Sequence, residues 1–147
     1  MDRRSTLQRE LVLSAVKELQ CHATADQVYS LIASRCPSVS RATVYRNLNI
    51  LSEEGAILRV RVPGEAEHYD HTTGAHVHAF CEKCKRVFDV DTLPLGDLKE
   101  ALTDTKGMRV TGYDLVFRGV CGECERAAAQ STAKAPQYEN DNGGNVK

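Results

Sequence analysis

Two Cys-x-x-Cys pairs, Cys81/Cys84 and Cys121/Cys124, constrain this chain more than any other feature. Two such pairs close a tetrahedral thiolate shell, which suits Zn²⁺ and needs no other ligand. The motif also serves redox dithiols, but two pairs at similar turn positions read better as one shared site. The first pair lies in a strand–turn–strand stretch, His76-Val77-His78-Ala79-Phe80-Cys81-Glu82-Lys83-Cys84-Lys85-Arg86-Val87-Phe88-Asp89. His76 and His78 are two residues apart, so on a strand both rings point to one face. Asp89 adds a carboxylate on the far side of the turn. Imidazole and carboxylate without sulfur suit Fe²⁺, Mn²⁺ or Zn²⁺. The chain thus offers one metal site of sulfur and, close to it, one of nitrogen and oxygen.

The 147 residues suffice for one ordinary domain or two small ones, and a 41% hydrophobic content allows a packed core. No apolar run is long enough to span a membrane. Met1 to Thr6 lead into an amphipathic pattern rather than a signal segment, which points to the cytoplasm. In that reducing compartment paired cysteines more often mean metal than disulfide. The net charge of −1 conceals an asymmetry: residues 1–62 hold 9 Lys+Arg against 6 Asp+Glu, and residues 63–147 hold 10 against 14. Only the first half is expected to meet an anion.

Leu7, Leu11, Val12, Ala15, Val16 and Leu19 recur at helical spacing and predict a first helix capped by Ser5 or Thr6. Cys21-His22-Ala23 breaks it. Thr24 with Gln27 forms a capping box for a second helix whose stripe is Val28, Leu31 and Ile32. Pro37 marks a turn, and Ser40 caps a third helix that stops at Gly55. Val44, Leu48 and Leu51 face the core there, which turns Arg41, Thr43, Tyr45, Arg46 and Asn49 outward. Such a third helix fits the recognition helix of a helix-turn-helix; a plain solvated face is the bland alternative. Strand 57–62, turn 63–66 and return strand 67–70 then read as a wing, with Arg59 and Arg61 on one face for phosphate.

The expected fold class is α+β. Residues 1–69 form a winged helix-turn-helix DNA-binding domain, 70–75 a hinge, and 76–126 a small α/β dimerisation domain with structural zinc. Within the latter, a helix follows Pro94 with Leu95, Leu98, Ala101 and Leu102 on its stripe, and Val110 to Val120 form a strand interrupted near Gly112. Residues 127–147 are expected to be a disordered tail. His22, Asp70, His76, His78 and Asp89 could together make a five-ligand shell spanning both domains, so that a bound ion clamps one against the other. Individually, His22 reads as a polar loop residue, Asp70 as a turn former and Asp89 as a strand carboxylate. His68 and His71 read as surface residues, and Cys21 and Cys36 as small hydrophobes.

At this point the sequence resembles the ferric uptake regulator family of bacterial repressors, over residues 3 to about 126. The resemblance rests on His22-Ala23-Thr24-Ala25-Asp26-Gln27-Val28-Tyr29, Ser40-Arg41-Ala42-Thr43-Val44-Tyr45-Arg46-Asn47-Leu48, the His76–Cys84 stretch, and Gly119-Val120-Cys121-Gly122-Glu123-Cys124. It implies a homodimer that binds palindromic operator DNA when a regulatory metal is present. It puts structural zinc on Cys81, Cys84, Cys121 and Cys124, and regulatory Fe²⁺ or Mn²⁺ on His22, Asp70, His76, His78 and Asp89. Both carboxylate positions are Asp, as in the peroxide-sensing branch, where iron-catalysed oxidation strikes a histidine ligand, here His22 or His76. The resemblance also implies that a further metal site near the dimer core is absent, since Ala75, Val77 and the residues around Tyr113 and Asp114 lack its ligands. The chain begins close to its first helix, so the extra N-terminal helix of many members is not expected. Tyr45-Arg46-Asn47 leaves operator preference open. The alternatives are an iron- or zinc-responsive repressor of the same family without peroxide sensing and, more remotely, a metal-dependent redox enzyme. A sensor is consumed once per site, whereas an enzyme turns over. A zinc-buffering module leaves Arg41, Tyr45, Arg46 and the wing unexplained.

Overall fold

The computed structural model of the chain describes residues 3–20 and 22–133. Helix α1 (Arg3–Leu19) leads through strand β1 (Ala23–Thr24) to α2 (Ala25–Arg35) and α3 (Arg41–Glu53). The starts of α2 and α3 are written locally. The Thr24 hydroxyl accepts from the Gln27 N–H, and the Gln27 side chain returns the bond to the Thr24 N–H at 2.9 Å. Ser40 caps α3 by accepting from the Thr43 N–H. Gly55, with φ of 73°, ends it where a side chain would be strained.

The three helices enclose a core of Val12, Ala15, Val16, Val28, Ile32, Val44, Leu48 and Leu51, closed by Ile57 and Tyr69. Cys36 packs against this core as a small hydrophobe. Burial on α1 begins only at Val12; Leu7, expected on the same stripe, is 57% exposed. Strands β2 (Leu58–Val60) and β3 (His68–Asp70) form the hairpin after α3, and β1 adds to β3 to complete an antiparallel sheet ordered β1-β3-β2. The winged helix-turn-helix is complete in these elements.

The second sheet has β4 (Val77–Cys81) at its centre, antiparallel to β5 (Val87–Val90) and parallel to β6 (Val116–Gly119). Helix α4 (Gly122–Thr132) follows. Three expectations are corrected here. The helix after Pro94 is only a 3₁₀ turn, Leu98–Ala101, with Leu95 and Leu102 exposed. An apolar stripe makes a stable helix only when it has a face to bury against, and among the described residues this one has none. The strand expected from Val110 shortens to Val116–Gly119, because its partner β4 offers only a short edge. The tail expected from Ala127 is helical to Thr132, since Ala127, Ala128 and Ala129 are strong helix formers and Glu123 and Glu125 suit the first turn. Residues 134–147 of that expected tail lie outside the described residues, as does Cys21.

The wing packs onto the second sheet. Val60 and Val62 join Phe80, Val87 and Val116 in a separate small core. His68, expected on the surface, is buried and lies 3.1 Å from the Lys85 carbonyl through Nε2. It is drawn in because alternation along β3 points it at β4 and β5. Lys85 pairs with Glu65 at 2.6 Å, and Arg118 donates to the Pro63 carbonyl.

The helical core generates a direct expectation. Leu48→Ala should lower the unfolding free energy by about 2–5 kcal/mol, the range for emptying a buried leucine site. Leu7→Ala should change it by less than about 0.5 kcal/mol. Urea unfolding followed by far-UV circular dichroism measures both; equal losses would contradict this packing.

Candidate metal centres and nucleic-acid interface

Cys81 and Cys84 occupy the β4–β5 turn, which the left-handed φ of 62° at Lys85 and the Lys85 N–H to Cys81 carbonyl bond close. Cys121 and Cys124 begin α4. The Glu82 N–H donates to the Gly119 carbonyl at 2.8 Å and holds the two turns side by side. Sulfur separations are 3.9 Å for Cys81–Cys124 and 3.8 Å for Cys84–Cys121. A tetrahedron built on zinc–sulfur bonds of about 2.3 Å has edges of about 3.8 Å, which these two separations match, and all four sulfurs lie within 4.8 Å of one another. The backbone N–H groups of Cys121 and Cys84 both point at the Cys81 sulfur and bring its thiol down to about 6. Arg86 donates to Cys84 Sγ at 3.4 Å and lowers that thiol too. Cys124, beside Cys121 and the other sulfurs, is pushed up to about 12. Four thiolates repel one another, and a dication at their centre removes the conflict.

The second cluster gathers His22, Asp70, His76, His78 and Asp89, with one ligand atom from each inside 4.8 Å of all the others. His22 comes from the link between α1 and β1, Asp70 from the end of β3, His76 and His78 from the entry and body of β4, and Asp89 from β5. Asp70 Oδ2 lies 3.2, 2.7 and 3.2 Å from the Nε2 atoms of His22, His76 and His78. Asp89 Oδ1 lies 2.9, 3.3 and 3.5 Å from the same three atoms.

Neighbouring groups aim these donors inward. The Thr72 N–H holds Asp70 Oδ1 at 2.8 Å and leaves Oδ2 for the cluster. His76 Nδ1 donates to the Gly74 carbonyl at 2.6 Å, which leaves Nε2 as the inward ligand atom. His22 Nε2 is buried and makes no hydrogen bond among the described residues despite its two carboxylate neighbours. A buried ring nitrogen so placed fits a cation at the centre. Burial pushes the Asp70 carboxyl up, but the Thr72 N–H and the His78 and His76 rings outweigh it and bring it down to about 2. Burial lowers His78, while in His76 its effect is overcome by the Gly74 carbonyl and the Asp70 and Asp89 carboxylates, which raise it. The Asp89 side chain is 55% exposed, so the cluster is walled by the other four and open at this edge.

On α3, Arg41, Tyr45, Arg46 and Asn49 face solvent and Thr43 is half-buried, its hydroxyl 2.9 Å from that of the capping Ser40. Asn49 accepts from Arg59 at 2.6 Å. Arg61 pairs with Glu67 at 3.1 Å, and Arg59 lies 3.6 Å from the same carboxylate. Arg41 and Tyr45 both bind Asp26 of α2. Arg46 has no ion pair or hydrogen bond among the described residues beyond its helix backbone. Sequence reasoning missed Asp26, Glu67 and Arg86: Asp26 meets Arg41 and Tyr45 from another helix, and Glu67 and Arg86, though near Arg61 and Cys84 in the chain, belong to no recognisable spacing.

A winged helix-turn-helix, a His/Asp cluster where it meets a second sheet, and four converging cysteines on that sheet fit a metal-responsive regulator rather than an enzyme. The chain belongs to the ferric uptake regulator family, whose family model matches residues 1–118. It is 31% identical over 123 residues to the peroxide operon regulator of Bacillus subtilis, a match covering 84% of this chain and 85% of that protein. Among solved structures, the Campylobacter jejuni peroxide stress regulator superposes with a TM-score of 0.61 at 30% identity, over 82% of this chain and 91% of that one. The iron-bound ferric uptake regulator of Francisella tularensis shares the fold with a TM-score of 0.65 at 24% identity, over 80% and 91% of the two chains.

The sulfur geometry predicts that Cys121→Ser abolishes tight zinc retention and melts the second sheet, because metal-binding free energy here is folding free energy. Zinc analysis of the purified variant, with limited proteolysis after the hinge, checks this. A variant retaining stoichiometric zinc and a protease-resistant second sheet would contradict the assignment.

Proposed function

We propose that this protein is a metal-dependent transcriptional repressor that senses peroxide through iron-catalysed oxidation of one of its own histidine ligands. Residues 1–69 read DNA, 70–75 act as the hinge, and 76–126 carry dimerisation. Cys81, Cys84, Cys121 and Cys124 hold structural Zn²⁺, and His22, Asp70, His76, His78 and Asp89 hold the regulatory ion. The partner is double-stranded, palindromic operator DNA, bound by a homodimer. The setting is the cytoplasm; among the described residues no helix is long and apolar enough to cross a membrane.

One observation carries the reading. Five donors from both sides of the hinge lie inside 4.8 Å of one another. Three neutral imidazoles and two carboxylates make an oxygen- and nitrogen-rich shell suited to Fe²⁺ or Mn²⁺. Fe²⁺ held by these five residues would supply one-electron chemistry toward hydrogen peroxide beside an imidazole, whereas Mn²⁺ would supply the grip alone. The remaining work belongs to the chain. Asp70 and His22 anchor the winged-helix side, and His76, His78 and Asp89 anchor the second sheet. Gly74 and Thr72 keep the ligand atoms aimed inward. The exposed edge at Asp89 admits a small oxidant to His22 and His76. An oxidised imidazole is a poor ligand, so the two sides part and the DNA-reading half loses its fixed placement. Metal and DNA affinities are coupled, and the coupling is reciprocal. The likeness to the Bacillus subtilis and Campylobacter jejuni peroxide regulators supports the peroxide branch over a plain iron or zinc switch.

His22→Ala should keep zinc and the dimer while losing the gain in DNA affinity on Mn²⁺ addition, a gain expected to be about 5–150-fold. Fluorescence anisotropy with and without Mn²⁺ reads this, and an undiminished response would contradict the clamp. Brief, dilute peroxide should add one oxygen to His22 or His76 in the Fe²⁺-loaded protein but not the Mn²⁺-loaded one, with DNA release. Peptide mass spectrometry measures it. Intact histidines with iron still gating DNA binding would assign the protein to a metal-responsive branch instead.

A further inference from the structure

One carboxylate oxygen organises the recognition helix. Asp26 Oδ1, in the first turn of α2, accepts from the Tyr45 hydroxyl at 3.0 Å and also from Arg41 Nη1. The Arg41 guanidinium lies 4.5 Å from the centre of the Tyr29 ring, so it is held from a second side by α2. All three members of the Asp26 cluster are exposed, on the surface that turns Tyr45 and Arg46 outward. Arg46 lacks such partners among the described residues. The two arginines of this helix are therefore unlike: one is neutralised and fixed, the other free.

We propose that Asp26 is a specificity-determining positioning residue for DNA recognition, fixing Tyr45 for base contact and withholding Arg41 from the phosphates. The inference rests on the DNA-binding reading above. Its physical basis is twofold. Ordering a rotamer-rich side chain before binding removes an entropic cost from the specific complex. Pairing Arg41 with a carboxylate removes one cation from the sequence-independent attraction to phosphate. The first effect strengthens operator binding and the second weakens binding elsewhere, so both raise the ratio of specific to non-specific affinity. The Tyr45 hydroxyl, bonded to a carboxylate, is held above its ordinary pKa, and its proton stays on the bridge.

The test uses the full zinc-containing chain in excess Mn²⁺. A duplex is first enriched from a randomised DNA pool by the wild type, and a shuffled duplex of the same composition serves as the non-specific probe. Affinities are measured over a range of salt concentrations for wild type, Asp26→Ala and Asp26→Asn. Asp26→Ala should reduce the specific-to-shuffled ratio by about 3- to 10-fold, the loss expected for one side chain left unordered. Its logarithmic salt slope on shuffled DNA should steepen by about 0.9, one added phosphate contact. Asp26→Asn keeps an acceptor for Tyr45 but no charge for Arg41. It should steepen the slope alike while keeping more of the specific affinity. In a Tyr45→Phe background, Asp26→Ala should cost less of the ratio than in wild type. A lower melting temperature with unchanged ratio and slope would mean that Asp26 serves α2 alone, and would overturn the proposal while leaving the DNA reading intact. If the wild type enriches no duplex, the DNA reading fails and this inference with it.

Discussion

Three imidazole nitrogens and two carboxylate oxygens face one another across a gap of about 3 Å, and the arrangement of both halves of the molecule follows from that convergence. Carboxylates and ring lone pairs do not gather in a half-buried space without compensation. A divalent ion at the centre would balance that charge and draw all five donors together. Since the ligands come from β3 and the α1–β1 link on one side and from β4 and β5 on the other, the compensation is also a mechanical link. The contact of Val60 and Val62 with Phe80 and Val87 lies alongside it, so hydrophobic burial and charge act across the same junction.

The thiolate cluster has a different task. It joins the turn after β4 to the start of α4, elements separated by the long crossover between β5 and β6. That crossover contains a single short 3₁₀ turn and leaves Leu93, Met108 and Tyr113 exposed. With so little apolar burial of its own, the second sheet would gain much of its stability from an ion held by the four cysteines. Arg86 supports this from outside by donating to Cys84 while pairing with Glu123 of α4. In the proposed reading the two clusters divide the work: one would hold the second sheet together, the other would relate it to the winged helix.

What the sequence displayed was whatever local spacing governs. The Thr24–Gln27 box, the Ser40 cap, the Gly55 stop and the Val44, Leu48, Leu51 stripe are all set within a few residues, and each stands where periodicity put it. The cysteine pairs were legible for the same reason. Features that depend on distant partners were not. His68 is inside because a second sheet covers it, and nothing in Glu67-His68-Tyr69 announces that sheet. The stripe at Leu95 to Leu102 has helical spacing but, among the described residues, no surface to meet. The alanines after Arg126 looked like low-complexity filler, yet intrinsic helix propensity carries α4 through them to Thr132. At the candidate sites, the ligand types were readable from the chain, whereas the role of Asp26 emerges only when α2 and α3 are brought together.

The valine contact between wing and second sheet has a thermal consequence. Separating Val60 and Val62 from Phe80 and Val87 places apolar surface in water, so the parted form has the higher heat capacity. Attraction of that kind weakens on cooling. The apolar contact between wing and second sheet therefore holds less firmly in the cold than in the warm.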